Sequence, residues 1–538
     1  MACDHTDCIE KRISKLFEKL GHLVGSYPVW FFVIPLIVSA ALGGGLYFLR
    51  DYEDNNVESQ FTPINGPSKQ ARDFVKETFP NKDSLFSSQR LYAEGNYAVM
   101  IFSVEGDILE DALFEKIHEL DKQVHNLSVN VNQTQISFKD ICAKENGNCV
   151  PNPILDIMAN KSTNLSFPIN KWKGKDVFLG STVGGAEERG GVIHHARAIR
   201  LFYFLQDKPG AFQWLHQFHS VLSSETLSTE LKVSHFTSLS RQEEIEKHTT
   251  DGIPLFSITY SLAISFSVLS CMRLDNVRNK IWVSFMGVLS AGLAVLSSFG
   301  LLLFLQVPFV ITVANSPFLI LGIGVDDMFI MISHWQQTKV KDPVEKRMSE
   351  TFKEAAMSIT ITTLTDVLGF YIGLISEFRS VQAFCLYTST SIIFCYIYNI
   401  LFFGSALALN GRREQSNRHW LTCCKLPTQA PEGKSLAYRL CCVGGDYDKE
   451  TGAEKQQPIA HFFRSYYGPF LTKSWTKVCV MLLYVGYLAG AIYGCLHLEQ
   501  GTDMRDLAAD DSYVVNYYDD DRKFFSSFHT GMKTADLN

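Results

Sequence analysis

A charge excess of either sign is what this sequence most lacks: 49 lysines and arginines stand against 56 aspartates and glutamates, a formal net charge of -7 over 538 residues. Without a basic surplus there is no overall electrostatic footprint for a phosphate backbone, which argues against a nucleic-acid partner. Phosphate loops are missing as well, since Gly184, Gly185, Gly190 and Gly191 read as turn material with no helix starting behind them. The 13 cysteines include no C-x2-C spacing, so no metal and no cofactor is expected. His194-His195 has no spaced ligand set around it, and no nucleophile stands beside a base. An enzyme is not expected.

Apolar runs are what the chain has in quantity, concealed by a mean hydropathy of +0.03 because charged loops dilute them. About 20 apolar residues cross a bilayer. Seven stretches reach or approach that length: 29–49, 253–272, 281–305, 309–333, 355–376, 380–409 and 477–497. The expected fold class is an α-helical polytopic membrane protein. Ala40, Ala41 and Gly43 imitate a signal-peptide cleavage site, but the run is too long and lies behind residues 1–28, so it reads as an uncleaved anchor.

Four basic clusters give an orientation. They are Lys11, Arg12, Lys15 and Lys19; Arg273, Arg278 and Lys280; Lys339, Lys341, Lys346, Arg347 and Lys353; and Arg412, Arg413 and Arg418. With seven crossings all four fall on one side, which the positive-inside rule assigns to the cytosol. The N-x-Ser/Thr sequons at Asn126, Asn132, Asn160 and Asn164 all lie in the opposite loop, where glycosylation requires an extracellular or lumenal face. Cys142 and Cys149 in that loop are expected to pair as a short disulfide. The plasma membrane is the expected location, with an endomembrane left open.

Residues 1–28 form a cytosolic amphipathic N-terminus, with Ile9, Ile13, Leu16, Phe17 and Leu20 on one face. That face suits the membrane surface, the alternative being a short solvated helix. Residues 50–252 are long enough for their own core. Strands are expected at Tyr97–Val104, Ala198–Leu205 and Leu231–Thr237, and helices at Leu109–Asn126, Ala211–Leu222 and the charged run 239–248. That alternation predicts an α+β sandwich. Residues 411–476 are a cytosolic linker whose Cys423, Cys424, Cys441 and Cys442 are open between lipidation and plain thiols.

The two apolar ends also resemble each other. Ala71-Arg72-Asp73-Phe74-Val75 follows the first run, and Asp503-Met504-Arg505-Asp506-Leu507 and Asp521-Arg522-Lys523-Phe524-Phe525 follow the seventh. Residues 498–538 therefore read as the start of a second ectodomain, in the manner of internally repeated transporters.

The chemistry concentrates in the fourth run, Gly322-Ile323-Gly324-Val325-Asp326-Asp327-Met328-Phe329. A carboxylate at mid-bilayer costs roughly 2.5–3.5 kcal/mol on insertion scales, so two in succession call for a reason. Burial and mutual repulsion favour holding a proton, which suits a relay; a salt bridge to a neighbouring helix is the alternative. Gly322 and Gly324 would let another helix approach. The fifth run adds Asp366 and Thr360, Thr362, Thr363 and Thr365, whose hydroxyls can also bond their own helix. His334 lies two turns after Asp327, as a proton exit or a solvated side chain.

These motifs, with Ile359-Thr360-Ile361-Thr362-Thr363-Leu364-Thr365-Asp366 and Phe378-Arg379-Ser380-Val381-Gln382-Ala383-Phe384-Cys385, resemble the sterol-sensing half of Patched-related proteins. That family belongs to the resistance-nodulation-division superfamily, with Niemann-Pick C1 and Dispatched as relatives. The resemblance implies ferredoxin-like porter domains after spans one and seven, a sterol-sensing domain over residues 253–410, and twelve spans in two repeats. It implies sterol or lipid movement, with Asp326 and Asp327 matching the acidic pair that couples transport to a cation gradient. Spans eight to twelve are expected outside these 538 residues, in which case the chain is a fragment or short isoform, pairs with a second half, or no longer transports. The rival expectation is a non-transporting sterol-sensing receptor whose ectodomain meets a protein ligand.

Overall fold

The computed structural model describes residues 7–54, 57–78, 95–131, 133–145, 147–160, 165–224, 231–273, 275–428, 442–455, 461–498 and 504–526. Asn132, Asn164, Cys441 and Asp503, singled out above, lie outside the described residues. The chain divides into two compact units, residues 1–64 with 253–498 and residues 65–252 with 499–538.

Six described helices are long and apolar enough to cross a membrane: Pro28–Phe48, Ile281–Phe304, Ile311–Gln337, Val344–Gly373, Arg379–Gln415 and Ser474–Leu496. The apolar stretch Pro254–Ser270 is shorter and ends a helix of 31 residues, Ser240–Ser270. The charged run 239–248 is therefore not a separate helix. Pro254 removes one backbone bond from that helix, which continues through it into the apolar residues beyond. In chain order these are spans one to seven, with Pro254–Ser270 as span two.

Small residues decide how the membrane unit packs. A Cβ on Gly45 in span one would lie 2.0 Å from the Gly300 carbonyl oxygen, and one on Gly300 in span three would lie 1.9 Å from the Leu42 carbonyl oxygen. Backbone meets backbone there, which only glycine permits. The helix Asp7–Ser26 buries Phe17 and Val24 in one core with Met348 and Phe352 of span five. Its apolar face is thus spent largely on protein, while Leu16 and Leu23 stay exposed. Spans three, four and six share a core of Ala291, Ala294, Ile320, Ile392 and Cys395. Among the described residues of span seven, Thr476 alone is buried.

At the end of the bundle where basic residues collect, Lys280 is fully buried and bonds the carboxylates of Glu414 and Glu454. Arg273 reaches Glu454 at 3.0 Å, and the Arg347 guanidinium lies 3.9 Å from the Trp335 ring centre. Buried charges persist when paired in this way. Glu454 belongs to the linker, so these pairs pin the linker to the spans.

The second unit is built on an antiparallel sheet. Asn96–Ser103 (β1), Val183–Gly184 (β2), Ala198–Leu205 (β3) and Lys232–Thr237 (β4) lie in the order β4-β1-β3-β2. Side chains alternate between the faces of a strand. Ala98, Met100 and Phe102 point to the face covered by Asp111–Asn126 (α1) and Ala211–Ser224 (α2), with Leu120, Trp214 and Phe218. Val99 and Ile101 point to the other, covered by Tyr513–Phe525 (α3) through Val514, Tyr517 and Phe525. Polar contacts seat α3: Arg200 donates to Asp521 at 2.5 Å, and Lys232 to Asp520 at 2.9 Å. A Cβ on Gly184 would lie 2.8 Å from the Phe525 ring. Cys142 and Cys149 are joined by a disulfide, and Gly185, Gly190 and Gly191 take the positive φ of turns. Asn126 and Asn160 are exposed at the ends of helices.

Candidate functional site

Span four carries the two aspartates to different surroundings, as residues about 100° apart on a helix must be. Asp326 is exposed on the bundle, four residues after Gly322, and no described atom comes within 4 Å of a Cβ built on Gly322. Asp327 is 4% exposed and faces span six. Its Oδ2 accepts a hydrogen bond of 3.2 Å from Nδ2 of Asn399, a residue with no exposed surface. Behind the amide, Oγ of fully buried Ser290 on span three donates to Asn399 Oδ1 at 3.2 Å. No basic side chain among the described residues pairs with Asp327, so the salt-bridge alternative has no partner here.

Local structure makes this meeting possible. A Cβ on Gly324 would stand 2.9 Å from the Ala291 Cβ and 3.0 Å from the Cys395 sulfur, so glycine lets spans three and six close on span four just before Asp327. Gly287 does the same for Met328, whose sulfur would lie 2.3 Å from an added Cβ. Asn399 opens a π-turn, Asn399–Phe403, inside span six. Such turns widen a helix and recur at functional sites.

The other predicted groups are less closely joined. Asp366 is half-buried on span five and makes no hydrogen bond among the described residues. Thr362 and Thr365 bond carbonyls of their own helix, whereas Thr360 also meets the Tyr396 hydroxyl at 2.9 Å. His334 is half-buried, and Cys423 and Cys424 are exposed.

Two features were missed. Asn399 was visible as the lone amide in the apolar run after Cys395, and nothing singled it out. A hydroxyl cluster one residue away joins Ser39, Ser297 and Tyr398 from spans one, three and six, with Ser297 Oγ 2.8 Å from the Tyr398 oxygen. Its members are spread over 360 residues of sequence, and no local pattern links them. On span two, Ser257, Ile258, Ser261, Leu262 and Ser265 are exposed, hydroxyls and alkyl groups sharing one helical face.

Residues 254–409 match the Patched family model, described as Patched SSD. Patched-related protein 9 of Caenorhabditis elegans is 26% identical, over 96% of this chain and 61% of its own length. NPC1-like intracellular cholesterol transporter 1 of Rattus norvegicus is 24% identical, over 94% of this chain and 41% of its own. Niemann-Pick type C1-related protein of Toxoplasma gondii is 24% identical, over 81% and 39%. The chain thus spans between about two fifths and three fifths of the length of these relatives. With its multi-pass bundle, its acidic fourth span and this match, the chain carries a Patched-type sterol-sensing domain over residues 254–409 and is similar to Patched-related and NPC1-like proteins.

Proposed function

We propose that this chain is one half of a cation-coupled sterol or lipid transporter in which Asp327 carries the proton and Asp326 and Asp366 pass it on. The observation that carries the reading is the setting of Asp327: a carboxylate inside the bundle, held by a neutral amide and facing no cation among the described residues. An intramembrane carboxylate without a counter-ion is a functional group by default. An ion pair would fix its charge, whereas an amide accommodates both its ionised and its neutral form.

The ligand class rests on the sterol-sensing match. The ferredoxin-like porter reading is supported by the strand order β4-β1-β3-β2 with two helices on one face. The side of span four at Gly322 and Asp326, uncovered among the described residues, fits a second half packing there. The α+β unit faces the extracellular or lumenal side and the N-terminus the cytosol, on the basic clusters and the sequons.

The test is transport of a cholesterol analogue across proteoliposomes with an imposed pH gradient, using this chain with and without a co-expressed second half. Asp327→Asn is expected to abolish gradient-driven movement while a photoreactive sterol still labels span two. Labelling that is independent of both the gradient and Asp327 would favour the sterol-sensing receptor instead.

A further inference from the structure

We propose that Asn399, backed by Ser290, is a positioning residue whose side-chain amide turns over when Asp327 changes protonation state. The inference rests on the reading of Asp327 as a proton site and adds what answers it inside the protein.

An ionised carboxylate only accepts hydrogen bonds, while a protonated one also donates. The observed arrangement serves the ionised form: Asn399 Nδ2 donates to Asp327 Oδ2, and Asn399 Oδ1 accepts from Ser290. When Asp327 takes its proton on Oδ2, the oxygen that the amide holds, the new O–H faces the amide NH2, donor against donor. Turning the amide by half a rotation presents Oδ1 to the acid O–H and Nδ2 to Ser290. A hydroxyl accepts as readily as it donates, so Ser290 follows by rotating its own proton. A lysine or a backbone N–H at that position could only donate, and a leucine could bond neither state.

Three details fit this role. Asn399 and Ser290 are both fully buried, so water cannot substitute for either bond, and an unmet buried polar group costs roughly 1–3 kcal/mol. The remaining contacts of Nδ2 are long, 3.5 Å to the Gly324 carbonyl and 3.8 Å to the Cys395 sulfur, so little is lost on turning. Asn399 starts the π-turn, where its backbone N–H is shared between the carbonyls of Cys395 and Tyr396. The titratable groups near Asp327 are Asp326 on its own span, Asp366 on span five, and Cys395 and Tyr396 on span six; Ser290, the contact from span three, does not titrate.

The protonation state of span four is thereby written into the bond between spans three and six. Ser290 lies two turns before Ser297, and Asn399 adjoins Tyr398, so the hydroxyl cluster is the next polar contact along the same pair of helices.

The experiment is infrared difference spectroscopy of the full chain in lipid nanodiscs, titrated with pH, following the carbonyl stretch of protonated carboxyl groups. The band absent from Asp327→Asn is that of Asp327. In the wild type it is expected at the lowered frequency of an acid that donates a strong hydrogen bond. Asn399→Leu is expected to move it to the frequency of a free acid, Ser290→Ala to move it part of the way, and Ser290→Thr to restore it. If Asn399→Leu does not fold, the Ser290 pair decides alone. A band that Asp327→Asn removes but that neither Asn399→Leu nor Ser290→Ala moves overturns the amide switch and leaves the proton site standing. If Asp327→Asn removes no band, the proton site fails and the switch with it.

Discussion

Acidification is expected to loosen helix α3 from the sheet, because two histidines lie beneath its start. His219 of α2 and His235 of β4 meet nitrogen to nitrogen at 3.0 Å, either ring donating according to its tautomer. His235 stacks on the Tyr513 ring of α3 with centroids 4.7 Å apart, and the His219 ring lies tilted against it at 4.2 Å. Burial, and then the neighbouring His219, pushes His235 down to about 4 from an ordinary 6.5. Burial also lowers His219, against an opposing pull from Glu243, a further push down from His216 and a pull from Glu244.

His235 is thus neutral in the folded unit at pH values where the unfolded chain already binds a proton. Its contribution to stability is complete above pH 6.5 and is lost as pH falls toward 4. Between these two values the loss relative to pH 8 is about 0.8 kcal/mol at pH 6 and about 2 kcal/mol at pH 5. That second figure corresponds to roughly 30-fold more frequent opening. Amide hydrogen exchange of peptides covering 232–237 and 513–525, corrected for intrinsic rates, reads this directly in the full chain. His235→Phe keeps a ring against Tyr513 and removes the proton. If the variant shows the same 30-fold rise between pH 8 and pH 5, His235 is not the sensor and the reasoning is wrong.

Replacing Gly300 by leucine is expected to force spans one and three apart, since even a Cβ would meet the Leu42 carbonyl oxygen at 1.9 Å; a cysteine crosslink between the two spans, efficient in the parent, should fail. Glu454→Gln leaves buried Lys280 and Arg273 short of a counter-charge and is expected to cost about 3–5 kcal/mol. A thermal-shift assay in detergent checks this, and an unchanged melting temperature would mean that the linker is not pinned by charge. Asn126→Gln and Asn160→Gln should each remove one glycosidase-sensitive step in electrophoretic mobility; a glycan-free parent would contradict the assigned orientation.

Much of the architecture was legible because its signals are local. β3 is Ala198–Leu205 in both readings, since a strand buried on both faces is written as a continuous run of apolar and aromatic residues. Span four announced itself through two carboxylates in an apolar run. The limits of the charged helix at 239–248 were missed because a proline at 254 looks like a stop, whereas the helix continues through it. Helix α3, in the residues expected to begin a second ectodomain, lies within its unit on the sheet β4-β1-β3-β2, joined by Arg200–Asp521 across 321 positions. No periodicity carries information over that distance, and the same holds for Asn399 and Asp327, 72 positions apart.

What distinguishes the two aspartates is therefore not their chemistry but the helices around them. Asp327 points where Gly324 has let spans three and six close in, so its partners are fixed and water is excluded. Asp326 points to the side of span four that carries bare Gly322 and no covering residue among those described. A relay needs one member of each kind, because an enclosed carboxylate cannot exchange protons with solvent and an exposed one cannot report its charge to the packing. Asp326→Asn should then slow proton exchange while leaving the Asp327 band at its frequency, and Asp327→Asn should remove the band itself. If Asp326→Asn instead shifted that band as far as Asn399→Leu does, the two carboxyl groups would share one site and the division of labour would not hold.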